Sequence, residues 1–226
     1  MTPRLTILDA LTALVVTALV AVAAWVAVAG PTGPIPMHFD SQMRPDRWGD
    51  RYELAGVTGF MALMAAATAG AMGWFAARSP DAARARGLRI GQIISLIAIA
   101  GVSLLLLWTT LGAVQETPVA PSSGWVMALM GVIFTVTGAF LGRVAPNPLV
   151  GVRTPWNFKS RLAWDRSNRL AGRLFFWIGL ATLIAAPLAP QPAGMGVVIF
   201  ALIAAAAWSI VESWRVWRTD PDRQPF

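Results

Sequence analysis

Six long apolar stretches constrain this chain more strongly than any other feature of its sequence. A helix needs roughly 20 apolar residues to cross the hydrocarbon core of a bilayer, which is about 30 Å thick. None of the six contains a charged residue, and only the fifth is clearly shorter than that length. The stretches cover residues 10–29, 54–77, 90–114, 124–142, 174–189 and 193–211. They predict an all-α membrane protein, folded as a bundle of six transmembrane helices.

The distribution of basic residues predicts how these helices are oriented. Fifteen of the eighteen Lys and Arg residues fall on the side of the membrane that would hold both termini. The three on the other side are Arg44, Arg47 and Arg51. Because cytoplasmic loops carry an excess of Lys and Arg, the sequence predicts that the N-terminus and the C-terminus are both inside.

The first apolar stretch allows an alternative interpretation. Arg4, the apolar run and the small residues Ala27-Val28-Ala29 resemble a secretory signal with its cleavage site. The run is longer than the 7–15 apolar residues usual in such signals, which favours a retained helix. Cleavage would leave five helices and an external N-terminus.

The charge and the cysteine content narrow the classes of partner and cofactor. The formal net charge is +7, but the cations lie in predicted cytoplasmic loops that face anionic lipid. Membrane lipids rather than nucleic acid are therefore the expected partners. The chain has no cysteine, which excludes a disulfide, a thiol nucleophile and a thiolate metal site. Coupled carriers usually have a charged residue near the middle of a span, and this chain has none, so coupled transport is not expected.

Two long loops divide the chain into two regions. Residues 1–142 form an N-terminal region with four predicted transmembrane helices and a structured outer loop, residues 30–53. Residues 143–226 contain a basic cytoplasmic loop and two further predicted transmembrane helices. The polar tail, residues 219–226, is expected to fray.

The prolines of the outer loop restrict its backbone, which predicts that this loop folds into a structured cap. Pro45-Asp46 is a turn signal, because proline presets one turn dihedral and Asp bonds to nearby backbone. His38 is the only histidine in the chain. A cation site is conceivable from His38 with the carboxylates of Asp40, Asp46, Asp50 and Glu53. Their spacing matches no compact four-ligand motif, so no metal or other cofactor is predicted. Binding at this loop is assigned to His38, Phe39, Asp40, Pro45, Asp46 and Trp48.

The inner loop, residues 143–173, holds seven of the eighteen basic residues. Ser160 is expected to N-cap a helix that runs from Arg161 into the fifth span. On that helix one side carries Ala163, Trp164, Ser167, Leu170 and Ala171. The cations lie on the other sides, which predicts an interfacial amphipathic helix in this fourth loop, with its apolar face in the acyl boundary. The alternative is a membrane-surface anchor with no further role.

The predicted helices also contain small residues at spacings that allow close packing. Gly138 and Gly142 are four residues apart, and Ala66, Gly70 and Gly73 form a similar run. Such residues allow helix backbones to approach closely within a membrane. Packing inside one bundle is the expected result, and homodimerisation is the alternative.

The two loops resemble a known family. The inner residues are Asn147, Gly151-Val152-Arg153-Thr154-Pro155-Trp156, Lys159, Trp164 and Arg169-Leu170-Ala171-Gly172. This segment closely resembles the signature of the SdpI family of bacterial membrane proteins. An uncharacterised domain that often precedes the signature is similar to the outer loop in Pro36, His38, Phe39, Pro45, Asp46, Trp48 and Arg51. The inner motif often has a histidine where this chain has Asn168, and the outer motif usually has a glycine where it has Met43.

The resemblance implies a multi-pass protein of the bacterial cytoplasmic membrane, acting in immunity or signalling. The best-known member of the family confers immunity to a secreted toxic peptide and holds a small repressor at the membrane. By this analogy the outer loop meets a toxin and the inner loop holds a repressor-like partner. The inner contacts would be Arg153, Thr154, Pro155, Trp156, Lys159, Trp164, Arg166 and Arg169. Guanidinium groups suit bidentate recognition of carboxylates.

Other classes of function are alternatives. A small-solute transporter or channel would use a weakly polar path lined by Gln92, Ser95, Ser103, Thr109, Thr135 and Thr137. A membrane enzyme would need His38 to meet a hydroxyl on the same face, from Ser122 or Ser123. With one histidine, no cysteine and no acidic pair near a predicted apolar pocket, catalysis is not predicted. A purely structural scaffold is a further possibility.

Overall fold

The computed structural model describes residues 5–40, 42, 44–114, 123–147 and 149–225. Most of these residues are helical. The helices are α1 (Ile7–Ala29), α2 (Arg51–Ala65), α3 (Ala71–Arg78), α4 (Ala82–Val114), α5 (Ser123–Leu141), α6 (Pro155–Lys159), α7 (Arg161–Ala185) and α8 (Ala193–Thr219). The described residues also contain two strands, β1 (Ile35–Phe39) and β2 (Pro45–Gly49). A π-helical segment, Ala66–Gly70, joins α2 to α3 as one helical rod.

Among the described residues, five helical rods are long and apolar enough to cross a membrane. They are Ile7–Ala29, Arg51–Arg78, Ala82–Gly112, Ser123–Leu141 and Ala193–Thr219. α7 corresponds to the expected fifth span but is not among them, because charged residues occupy its half before Leu174. It ends at Ala185, earlier than the apolar stretch suggested. Pro187 follows closely, and proline cannot continue a helix.

The rods alternate in direction, so each end of the bundle collects residues from distant parts of the chain. Val26 near the end of α1 packs with Leu54 near the start of α2. Near the start of α1, Asp9 faces Gly73 of α3 and pairs with Arg89 of α4. The end that holds Val26, Leu54 and the two strands is named the hairpin end. The end that holds Asp9, Arg89 and residues 143–160 is named the basic end.

A polar network joins α1 to α4 at the basic end. Arg89 donates to the carboxylate of Asp9 and, at 2.8 Å, to the side-chain oxygen of Gln92. Gln92 in turn donates to Thr12 Oγ1 at 2.9 Å. Gly73 leaves room for the network, since a Cβ there would lie 2.6 Å from Asp9 Oδ1. Charges removed from water need both a partner and further hydrogen bonds, and the network supplies them.

The outer loop folds into a two-stranded antiparallel sheet, and here the chain departs from the predicted all-α class. β1 pairs with β2, with Ile35 opposite Gly49. Ile35 is fully buried in one cluster with Val26 and Leu54, which anchors the hairpin to the ends of α1 and α2. Prolines favour extended backbone over helix here. The turn predicted at Pro45-Asp46 is wrong, because both residues lie in β2 and the chain reverses between Asp40 and Arg44.

α5 and α7 are in direct backbone contact, and glycines make this possible. A Cβ on Gly138 would lie 2.2 Å from the backbone nitrogen of Phe176. One on Gly179 would lie 2.4 Å from the backbone nitrogen of Thr135. Gly138 therefore packs within the bundle, which confirms the intramolecular contact predicted from its spacing.

Replacing Gly138 by alanine is expected to destabilise the protein by about 1–3 kcal/mol, the usual range for overpacked cores. The added Cβ would meet backbone, so α5 and α7 would have to move apart. The control is Gly56→Ala in α2, where a Cβ would meet nothing within 4 Å. Thermal unfolding in detergent, followed by circular dichroism, should show a lower midpoint for Gly138→Ala alone. Equal midpoints for the two variants would contradict the close contact.

Candidate functional site: the inner loop and the outer hairpin

The first turn of the inner loop is held by the side chain of Asn147. The Oδ1 atom accepts hydrogen bonds from the backbone N–H groups of Leu149 and Val150, at 2.9 and 2.8 Å. The Nδ2 atom donates to the carbonyl oxygens of Ala145 and Val150, at 2.9 and 3.2 Å. Asn147 is buried, and one side-chain amide thus satisfies four backbone groups of a non-helical turn.

Asn168 of α7 holds the next part of the loop. Its Oδ1 accepts from the backbone N–H of Val152 at 2.8 Å, and its Nδ2 donates to the carbonyl oxygen of Trp164 at 3.0 Å. Gly151 has a φ of 119°, and a Cβ there would lie 2.6 Å from Asn168 Oδ1. The position where the related motif often has histidine therefore holds a buried amide that fixes the loop backbone. Sequence reasoning missed this role.

Thr154 and Asn157 connect the loop to α7 and α8. Asn157 Nδ2 donates to the carbonyl oxygen of Val152 and to Ser167 Oγ, the latter at 2.8 Å. Thr154 Oγ1 accepts from the backbone N–H of Asn157 as the N-cap of α6, and it lies 2.9 Å from Ser213 Oγ. Thr154 was expected among the partner contacts, but it is buried and bonds within the protein instead.

Trp164 is fully buried, so the expectation that it contacts a partner directly is wrong. Its indole Nε1 donates to the carbonyl oxygen of Val144 at 2.7 Å, and its ring centroid lies 6.0 Å from that of Phe158. Ala163 and Ser167, on the same side of α7, are buried as well. This face of α7 therefore packs on the protein, not in the acyl boundary as its amphipathic pattern suggested.

The C-terminal tail docks against the inner loop instead of fraying. The hydroxyl of Ser160 donates to the carboxylate of Asp220. Ser160 also N-caps α7, which confirms the predicted start of that helix. Gln224 donates its backbone N–H to the carbonyl oxygen of Lys159 at 2.8 Å, and Lys159 Nζ donates to the carbonyl oxygen of Pro225 at 2.7 Å. The ammonium of Lys159 is thus engaged with the tail.

The remaining predicted contact residues lie near the surface in two groups. Arg153 and Pro155 are exposed, and Trp156 beside them is partly buried. These three are named the signature edge. Arg166 and Arg169 are exposed on α7. Both line a groove beside α8, and Arg169 also lies against Gly142 at the end of α5. The structure thus separates the predicted inner contacts into a loop surface and a helix surface.

A cavity of about 480 Å³ lies beneath residues 149–154, between α4, α5, α7 and α8. Most of its lining is apolar, and the hydroxyls in it come from Ser95, Thr137, Thr154 and Ser209. Residues 149–154 of the inner loop therefore form one wall of an open recess between the helices.

Only part of the predicted polar path reaches this cavity. Ser95 and Thr137 line it, whereas Gln92 belongs to the network that joins α1 to α4. The hydroxyls of Thr109, Thr135 and Thr137 donate to carbonyl oxygens of their own helices. Hydroxyls bound in this way offer less to a passing solute.

The outer hairpin brings together several of the predicted binding residues. His38 Nδ1 lies 2.6 Å from Asp46 Oδ1, which links β1 to β2. Their side chains are 64% and 47% exposed, so this contact adds little stability. Asp40 Oδ1 accepts from the backbone N–H groups of Arg44 and Gln42, both at 2.8 Å. The hydrogen bond from Arg44, with help from that of Gln42, holds the pKa of Asp40 below its usual range.

The aromatic residues of the hairpin differ in their exposure. Trp48 is 56% exposed, and Pro45 at the start of the same strand is also exposed. Phe39 is partly buried. Trp48 therefore gives the hairpin an apolar surface that a peptide could contact.

The carboxylates considered for a cation site are engaged separately. Asp50 N-caps α2, and Glu53 pairs with Arg47 at 2.6 Å. Over the residues that the structure describes, no group of three or more His, Cys, Asp or Glu could hold a metal ion. Of the hydroxyls considered for catalysis, Ser123 begins α5, and Ser122 lies outside the described residues, as does Met43 of the outer loop.

Gly151→Ala is expected to loosen the inner loop, because a φ of 119° is strained for alanine and the Cβ would meet Asn168. Hydrogen–deuterium exchange should speed up at the backbone amides of residues 149–152. The control is Gly196→Ala in α8, where a Cβ would meet nothing within 4 Å. Exchange that stays as slow in Gly151→Ala as in the control would show that the loop does not depend on this close contact.

Comparison with known proteins agrees with this geometry. The model of the SdpI/YfhL protein family matches residues 143–213. The match covers the inner loop and α7, and it ends at Ser213, the hydrogen-bond partner of Thr154. Searches of curated proteins and of solved structures gave no match. The family match places an SdpI/YfhL-like region at residues 143–213, and together with the apolar helices it indicates a multi-pass membrane protein.

Proposed function

We propose that all six rods, α7 included, cross the bacterial cytoplasmic membrane. The observation that supports the sixth span is that α7 accompanies α5 along its whole length. Gly142 at one end of α5 lies against Arg169, and Met127 near the other end packs with Ala186. α5 has 19 residues, which corresponds to about 28 Å. A helix that follows α5 from end to end covers the same distance across the membrane.

The basic end is the cytoplasmic end in this proposal. It carries Arg153 and the exposed guanidinium groups of α7, whereas the hairpin end carries Arg44, Arg47 and Arg51. The positive-inside rule assigns the more basic end to the cytoplasm, with both termini on that side.

Single-cysteine variants can test this topology without background labelling, because the chain has no native cysteine that could react. Gly33→Cys at the hairpin end should react with a membrane-impermeant maleimide in intact cells. Arg84→Cys near the start of α4 should react only after the membrane is permeabilised. Leu188→Cys tests the sixth span, since this 83% exposed residue follows α7. It should react from outside, and protection of Leu188→Cys in intact cells would contradict the sixth span.

We propose that the protein is an immunity or sensor protein against a membrane-active peptide toxin. The outer hairpin meets the peptide, and the signature edge holds a repressor-like cytoplasmic regulator. The observation that carries this proposal is the rigid support of the signature edge. Arg153, Pro155 and Trp156 stay near the surface while Thr154 and Asn157 are buried and hydrogen-bonded beneath them. A pre-organised surface loses less conformational entropy on binding.

The chemistry of the signature edge suits an acidic, partly apolar partner. Arg153 offers a guanidinium for a carboxylate, and Trp156 adds an aromatic surface. Residues of these two types dominate the binding energy of many protein interfaces. Lys159, engaged with the tail, is a lesser contact in this proposal.

α4 is the element through which the two ends would communicate. Its residues Leu107 and Leu111 pack on the cluster that contains Ile35 of the hairpin. Near its other end, Gly91 lies against Val150 of the inner loop. A peptide that displaces the hairpin would therefore shift a helix that also supports the inner loop.

Protection in cells tests the proposal. Cells sensitive to membrane-active peptides are challenged with a peptide panel while they express wild type or Arg153→Ala/Trp156→Ala. We expect wild type to protect and the double variant to lose most of that protection, because the partner loses its charged and aromatic contacts. Survival and membrane potential are measured at matched amounts of protein in the membrane.

The matched control is Arg84→Ala/Trp74→Ala. It removes the same residue types from exposed sites at the basic end, and it should protect as wild type does. Equal protection by all three proteins would remove the signature edge from the mechanism. Failure of wild type against every peptide would reject immunity to that panel.

A second candidate function rests on the cavity beneath the inner loop. A small-solute transporter or channel would use this space of about 480 Å³ as part of its path. Flux of a solute into proteoliposomes, lost when Thr137 is enlarged to leucine, would favour transport. A bundle that stays closed to solutes would favour the immunity and sensor proposal.

A further inference from the structure

A groove between α7 and α8 at the basic end has a chemistry that the proposed function leaves unused. It encloses about 580 Å³. Successive turns of α7 contribute Arg166, Arg169 and Arg173, and α8 contributes Trp208, Glu212 and Arg215. Residues three or four apart lie on the same side of a helix, so each set forms a continuous stripe along the groove.

The groove is strongly cationic. Four guanidinium groups line it against one carboxylate, that of Glu212. Glu212 is 15% exposed and pairs with Arg215 at 2.9 Å, so it offsets only one of the four cations. Guanidinium groups gathered in this way bind phosphate through paired hydrogen bonds.

The groove lies at the boundary between apolar and polar surface. Trp208 is 66% exposed, and further along α8 towards the hairpin end Ile203 and Phe200 are 63% and 74% exposed. In the other direction, the guanidinium of Arg218 lies 4.9 Å from the ring of Trp214. Tryptophan and arginine together are typical of the headgroup level of a membrane.

We propose that this groove binds the phosphate group of an anionic phospholipid from the leaflet at the basic end. The guanidinium groups of Arg166, Arg169 and Arg173 hold the phosphate, and an acyl chain runs along Trp208 towards the apolar surface of α8. The groove opens onto the exposed apolar surface of α8, which favours a membrane lipid over a free phosphate ion. Basic pockets between membrane helices are known to bind such headgroups.

Glu212 regulates the strength of this site in the proposal. Its carboxylate competes with the lipid phosphate for Arg215, to which it is already paired. Removing its charge should therefore strengthen lipid binding, whereas removing a purely structural contact should not. This opposite sign separates a ligand site from a patch that merely stabilises the fold.

Native mass spectrometry of the full chain in neutral detergent can test the proposal. The probes are phosphatidylglycerol, phosphatidylcholine with the same acyl chains, and inorganic phosphate. We expect wild type to bind phosphatidylglycerol in preference to both other probes. Arg166→Gln/Arg173→Gln should weaken this binding about thirtyfold, in line with the attraction of two cations near an anionic surface. Glu212→Gln should strengthen it about fivefold.

The matched control is Arg84→Gln/Arg86→Gln, which removes two exposed cations at the same end but outside the groove. It should bind phosphatidylglycerol as wild type does. Equal losses in the two double variants would mean diffuse surface charge and would overturn the site, as would equal binding of the two lipids. Inorganic phosphate that binds as tightly as the lipid would also overturn it. The lipid site is independent of the proposed immunity function, because no step of this test uses a toxin or a regulator.

Discussion

Backbone that leaves helical geometry at the edge of the hydrocarbon core must find its hydrogen-bond partners within the protein. The inner loop meets this requirement with Asn147, Asn157 and Asn168, three buried amides whose side chains bond to loop backbone. Everything that the loop presents outward depends on these inward contacts. The same amides hold the loop residues that line the cavity, so the shape of the surface and the shape of the cavity have a common cause.

The contact between α5 and α7 places the loop correctly. Because Gly138 and Gly179 let the two backbones touch, α7 is held beside α5, and its buried side faces the loop. The charged side is then forced outward, towards α8 and the membrane surface. The close contact of α5 and α7 thus determines where the guanidinium groups of α7 lie.

Much of the architecture follows from the sequence alone. The apolar stretches, the N-cap at Ser160 and the packing of Gly138 could be predicted, because each of these local patterns favours a single structure. Periodicity could not reveal what covers Trp164, because it reports which side of a helix is apolar and not whether lipid or protein meets that side. The role of Asn168 could not be predicted either, because its partner Val152 is 16 residues away and no local pattern links the two.

The outer hairpin shows a different limit. Its prolines and turn predict structured backbone, but strand pairing depends on Ile35 finding Val26 and Leu54 across the chain. That contact is long-range and cannot be read from the loop. The chain is therefore mainly helical with a small sheet at one end, an arrangement that composition could not distinguish from a helical cap.

The length of α7 has a consequence for the bilayer around it. Between Arg173 and the end of the helix at Ala185 only about 18 Å of uncharged helix remains, against a hydrocarbon core of about 30 Å. Trp177 and Ile184, both about two-thirds exposed, place part of this short stretch in contact with lipid. In the proposed six-span topology the leaflets thin locally beside α7, because drawing arginine into hydrocarbon is more costly than deforming the lipid. On that topology the stability of the protein depends on membrane thickness, and thin membranes should suit it best.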